Sequence, residues 1–148
     1  MSSPEPGPEQ RSLIEALAAE HAAVFGYGLV AAFADPSRAE QVSADTAAHR
    51  ARRDATIDAL RAAGLEPPVA APGYTVPFPV TDPVGAAQLA VQIESDTATA
   101  WRSVVERARS EPARATAIDA LTEAALRAAW WRSALGITPP TVALPGQP

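Results

Sequence analysis

The stretch LIEALAAEHAAVFGYGLVAAF, residues 13–33, decides how this chain folds. Stepping three and four residues at a time, Leu13, Leu17, Glu20, Val24, Tyr27 and Ala31 fall on one line of an α-helix. Every position on that line suits a core except Glu20. A carboxylate buried without a partner costs several kcal/mol. Glu20 therefore demands partners from other helices, and the chain outside this stretch has to supply them.

The rest of the composition agrees with a helical core. The chain has 148 residues, enough for one ordinary domain, and 47% of them are hydrophobic, too many for a disordered chain. Much of that share is alanine, the best helix former. Aromatics are 5%, and runs of β-branched residues are scarce, which argues against a sheet. The formal net charge is -5, and all 12 basic residues are arginine. Such acidity gives no electrostatic footprint for nucleic acid or for an anionic membrane. There is no cysteine, which excludes disulfides, thiolate metal sites and cysteine nucleophiles. No apolar run is expected to reach membrane-span length, and MSSPEPGPEQR lacks the basic and apolar regions of a signal peptide. The expectation is a soluble cytoplasmic protein.

Outward from the first helix, proline and glycine set the boundaries. Residues 1–8 read as a disordered lead-in and 9–136 as one domain, with 137–148 an extended proline-rich tail. Helices are expected near 10–34, 38–63, 83–110 and 112–135. Asp35-Pro36 breaks the first from the second, and Gly64 caps the second. Residues 65–83, LEPPVAAPGYTVPFPVTDP, cannot be helical, and Asp82-Pro83 is a helix start. Glu111-Pro112 separates the third and fourth helices, and Gly136 ends the fourth. The second seam runs Val42, Thr46, His49, Arg53, Thr56 and Leu60. The third runs Ala87, Val91, Glu94, Ala98, Trp101 and Val105. The fourth runs Ile118, Leu121, Ala125, Ala128, Arg132 and Leu135.

Two helical hairpins joined by one long connection describe an all-α four-helix bundle. Helices of this size are roughly 38 Å long. An extended connection of about 18 residues spans up to roughly 60 Å, enough to cross the whole bundle. Helices two and three then run parallel, and Glu20, His49, Arg53 and Glu94 meet in one layer. Without the crossover, Glu94 misses that layer by about 5 Å.

A carboxylate from helix one, a histidine from helix two, a carboxylate from helix three and a long two-to-three crossover resemble the ferritin-like superfamily. More closely, the chain resembles an uncharacterised actinobacterial ferritin-like domain family of unknown function. The matching segments are EHAAVFGYG at 20–28, HRARRD at 49–54, PPVAAPGYTVPFPV at 67–80, the stretch from Glu94 to Trp101, and ALRAAWWRSALG at 125–136. The resemblance implies a ferritin-like four-helix bundle with a proline-rich crossover between helices two and three. It brings no established activity. Di-iron members place Glu-x-x-His on both helix two and helix four. Here Thr46 replaces the first glutamate, and helix four carries no histidine. Only Glu20, His49 and Glu94 match, so a di-iron site cannot be assembled.

Two readings of that cluster follow. In the favoured one, Arg53 and a protonated His49 neutralise Glu20 and Glu94 in a buried, metal-free network. No metal or cofactor is then expected, and the protein is a non-enzymatic binding or structural bundle. In the alternative, Glu20, His49 and Glu94 hold one iron, manganese or zinc ion, in a metal-binding protein or metal-dependent oxidoreductase. His21 lies about 100° round helix one from Glu20, where it could face a neighbouring helix. Tyr27, Tyr74, Trp101 and Trp131 are candidates for lining a pocket or forming a lid. Gly26 and Gly28 are read as points of close helix contact. Asp45, Asp54 and Asp58 interleave with Arg50, Arg52 and Arg53, which reads as a solvated face. Apolar residues outside the seams, and the side-by-side pairing common in ferritin-like bundles, lead to the expectation of a homodimer.

Overall fold

A computed structural model describes residues 4–148. Among them are four α-helices and no strand. They are α1 (Pro8–Phe33), α2 (Ala39–Ala62), α3 (Pro83–Arg107) and α4 (Glu111–Ala134), with a single 3₁₀ turn, Pro36–Arg38, between the first two. Pro8, Pro83 and Pro112 stand in the first turns of α1, α3 and α4, where a missing N–H leaves no hydrogen bond unmade. The Asp82 carboxylate caps α3 by accepting from the Gly85 N–H at 2.7 Å, and Ser110 caps α4 through the Ala113 N–H at 3.3 Å. Gly64 and Gly136 turn the chain out of α2 and α4 at φ of 79° and 74°, where a side chain would be strained.

α1 packs on both α2 and α3, and α3 packs on α4. Cross-helix partners give the directions. Glu9 accepts from the backbone N–H groups of Arg109 and Ser110, Glu20 meets Trp101, and Gly26 lies on Ile93. Residue numbers rise along α1 as they fall along α3. The same holds between α1 and α2, where Glu20 meets His49 and Tyr27 meets Asp45. Both neighbours are antiparallel to α1, so α2 and α3 point the same way. The second half of residues 65–82 lies against the helices: Val80 is buried, Val76 and Phe78 pack on the core, and the Tyr74 ring sits tilted at 5.3 Å from that of Phe25.

Some boundaries and faces differ from the sequence reading. The lead-in expected at 1–8 lies partly outside the described residues, and Pro8 already opens α1. α3 stops at Arg107 rather than near Ser110, because Glu9 captures the next two free N–H groups. On α4 the buried line is Ala117, Ala120, Ala124, Ala128 and Trp131, and Ile118 is 46% exposed. The small alanine face lets α4 approach the bulkier α3 closely and turns the larger apolar residues outward. Gly26 does serve close packing, since a Cβ there would meet Ile93 Cδ1 at 2.6 Å, whereas Gly28 faces open space. Contrary to expectation, α1 is long and apolar enough to span a membrane, with a mean hydropathy of 1.4 over 18 residues. In the fold one face of it, Ala16, Leu17, Glu20, Ala23, Gly26, Tyr27 and Val30, is buried.

Two apolar clusters fill the interior. One gathers Tyr27, Val30, Val42, Leu89 and Trp131 toward the end of α1, and the other gathers Ala16, Trp101, Val104 and Ala117 toward its start. The layer between them is polar.

Candidate functional site

That layer is built around His49, which α2 holds fully buried. Nδ1 of its ring faces Glu20 Oε2 at 2.6 Å. Nε2 faces Glu94 Oε1 at 2.5 Å. Glu20 comes from α1 and Glu94 from α3, and they are 1% and 0% exposed. A ring with a carboxylate at each nitrogen satisfies both only as a double donor, which is the imidazolium. Burial is the largest single influence on His49 and pushes its pKa down. The hydrogen bonds and charges of Glu20 and Glu94 together outweigh it and hold the pKa at about 9.

Glu94 has a second cationic partner, contributed by α4. Arg127 Nε donates to both Glu94 oxygens at 2.9 Å. Burial acts against the Arg127 charge, and the adjoining Glu94 carboxylate more than compensates. Glu20 takes its second hydrogen bond from the Trp101 indole N–H at 2.8 Å. Two anions and two cations, one from each helix, thus neutralise one another in the interior.

A further carboxylate lies one turn along α2. Asp45 is 2% exposed. It accepts from the Tyr27 hydroxyl at 3.2 Å, the Trp131 indole at 2.9 Å and the Gln41 amide at 2.8 Å. Trp131 also donates to the Tyr27 oxygen at 3.1 Å. Burial, then the charges of Glu94 and Asp45, pushes the Tyr27 pKa well above its ordinary value, so the phenol stays a neutral donor. The Tyr27 and His49 rings lie 5.4 Å apart, which joins the two groups into one polar layer. Among the described residues, no buried side-chain nitrogen or oxygen lacks a hydrogen-bond partner.

The structure brings Glu20, His49 and Glu94 together but leaves Arg53 out. Its Nε pairs instead with Asp54 at the surface, with 28% of its side chain exposed. Arg53 lies at the edge of the buried line of α2, which runs through Asp45 and His49 to Thr56 and Leu60, and its guanidinium turns outward to Asp54. Arg127 fills the role expected of Arg53. Asp45, read as part of a solvated face, is instead a core residue. The signal for both was indirect: Asp45 lies four residues before His49, on the same helix face. Arg127 is the one arginine on α4 flanked by the buried positions Ala124, Ala128 and Trp131.

Tyr27, Trp101 and Trp131, considered above as pocket or lid residues, are core side chains that donate into this layer. Tyr74 borders a cavity of about 160 Å³ between its own loop, α1 and α3. His21 faces that loop too, with Nε2 at 3.4 Å from the Pro68 carbonyl. On the far side Arg52 binds Glu123 at 2.8 Å and lies over Trp101, tying α2 to α4 and α3.

The donor set does not fit a metal ion. The two glutamates sit on opposite sides of the imidazole, each against a different nitrogen, so no point lies within bonding distance of one nitrogen and both carboxylates. Arg127 also occupies both oxygens of Glu94. Among the described residues, no three His, Asp or Glu side chains are grouped to hold a metal.

The architecture is therefore an all-helical protein whose four helices are joined by a buried carboxylate–imidazolium–guanidinium cluster. Residues 12–148 match the family described as Domain of unknown function (DUF4439), and the chain belongs to that family. A conserved hypothetical protein from Mycobacterium tuberculosis is similar in crystal structure. It is 43% identical, with 88% of this chain and 99% of that chain covered and a TM-score of 0.86. These matches fit an uncharacterised actinobacterial family. No curated protein matches.

Proposed function

We propose that this protein is a non-enzymatic, ferritin-like binding or structural bundle in which an ion network stands where di-iron relatives hold metal. The observation that carries the reading is the double engagement of His49, with a glutamate on each ring nitrogen. An imidazolium has no lone pair to offer a metal or a substrate proton. Every hydrogen-bonding group around it is already matched within the protein. Such a cluster fixes helix register, the best attested use of buried charge. The parallel course of α2 and α3 supports reading residues 65–82 as the crossover of a ferritin-like topology. The proposal includes a soluble homodimer in the cytoplasm, with exposed Ile118 and Trp130 as apolar surface for pairing.

Metal analysis tests this directly. Protein purified without a histidine tag is dialysed against iron(II), manganese(II) or zinc(II) and measured by plasma mass spectrometry. No stoichiometric uptake and an unchanged melting temperature are expected. One equivalent of metal, with melting raised as ligand linkage requires, would overturn the reading in favour of a mononuclear site at Glu20, His49 and Glu94.

A further inference from the structure

The C-terminal residues fold back across α3 and α4 and border a half-open cavity of about 690 Å³. That volume falls in the range of small-molecule sites, roughly 300–1,000 Å³. The tail is held tightly. A Cβ on Gly146 would lie 2.6 Å from the Ala98 carbonyl oxygen and 2.8 Å from Arg102 Cβ, so only glycine lets it approach α3 this closely. Ala98 on α3 and Leu121, Ala125 and Ala129 on α4 make an apolar floor. Leu126, Val142 and Leu144 stand at the mouth, and all three are exposed large apolar side chains. Apolar exposure gathered in one place marks a surface that something covers.

One cation borders this space, Arg132. Two arginines that face the bundle from α2 and α4 each hold a carboxylate: Arg127 holds Glu94, and Arg52 holds Glu123. Arg132 does not. Its guanidinium donates only to neutral acceptors at long range, the Pro140 carbonyl at 3.4 Å and Ser95 Oγ at 3.3 Å. A half-buried guanidinium without a counter-charge, beside an apolar trough, matches a planar anionic head joined to an apolar tail.

We propose that this cavity binds an amphipathic monocarboxylate, the carboxylate paired with Arg132 and the hydrocarbon laid along Ala125 and Ala129 beneath Val142 and Leu144. None of the side chains of the buried charge cluster lines it, so the site stands or falls independently of the metal question.

Isothermal titration of the full chain with dodecanoate, below its aggregation concentration, is the test. Dodecyltrimethylammonium, with the same tail and the opposite head charge, is the comparator. Saturable one-to-one binding of dodecanoate is expected, with the ammonium bound at least about tenfold more weakly. Arg132→Gln should weaken dodecanoate about tenfold and leave the ammonium unchanged, and Arg132→Lys should fall between wild type and Arg132→Gln. Leu144→Asp, at an exposed position outside the helices, should weaken dodecanoate without changing the helical circular dichroism. Equal affinity for the two head groups, dodecanoate affinity untouched by Arg132→Gln, or the absence of saturable binding would each overturn the proposal.

Discussion

Replacing Arg127 by alanine removes one of the two cations that face Glu94. The lost contact is two hydrogen bonds of 2.9 Å to a carboxylate that is 0% exposed. Breaking a buried ion pair from one side costs about 3–5 kcal/mol. The lower end applies here, because His49 still reaches Glu94 and because the Arg127 side chain is 15% exposed and admits some water. About 3 kcal/mol in a domain of this size lowers the melting temperature by about 6–12 °C. Arg53→Ala is the matched control. It deletes a surface pair with Asp54, of the kind worth about 0–1 kcal/mol. Thermal unfolding followed by circular dichroism at neutral pH compares the two, with Arg127→Met retaining most of the aliphatic packing. The reasoning fails if Arg53→Ala costs as much as Arg127→Ala, or if Arg127→Ala melts with the wild type.

The His49 pKa also sets a pH dependence. Its folded value of about 9 lies above the ordinary 6.5, so the folded state holds the proton more tightly than the unfolded chain. The gain is fully present below pH 6.5 and disappears as pH rises through 9, a loss of about 3 kcal/mol. Melting temperature should fall across that window in the wild type and stay nearly level in His49→Gln; equal slopes would refute the assignment. The two glycines of α1 should respond oppositely to alanine. Gly28→Ala, in open space, should stabilise by about 0.5–1 kcal/mol through helix propensity. Gly26→Ala should gain less or lose, because its Cβ would press on Ile93. Denaturant midpoints rank the pair, and a larger gain at Gly26 would contradict the packing described.

The helices were legible in the sequence because their signals are local. Asp82-Pro83 starts α3 and Gly64 ends α2 through bonds within a few residues of each. Glu20 and Glu94 could be picked out because each is polar where its neighbours on the helix line are apolar, and His49 because the crossover topology sets it at their level. The charge that balances them could not. An arginine side chain is long, so its guanidinium can reach a site from a flanking position, and Arg53 and Arg127 were both within plausible reach. Only the rotation of α2 and α4 about their own axes decides between them. On α4 alanine occurs on every side, so the apolar period marks no single face, and the bulkier Ile118 and Leu121 drew the expected seam away from the alanine line. Asp45 was hidden by its company, a run of acidic and basic residues of which the others stay at or near the surface.

The polar layer divides along the chain in a way that bears on how the molecule comes together. Glu20 and His49 belong to the first helical hairpin, Glu94 and Arg127 to the second. Within that cluster each hairpin thus supplies one negative and one positive group. Asp45 likewise finds Tyr27 and Gln41 within its own half. Those donors are neutral, as is Trp131 of the second half, so the pairing of charges holds for the four cluster residues alone. The His49–Glu94 contact joins the halves at the centre of the layer, and the Trp101–Glu20 and Trp131–Asp45 hydrogen bonds join them on either side of it. The long connection therefore links two halves that each bring one matched charge pair to the cluster, and its length can vary without disturbing either pair.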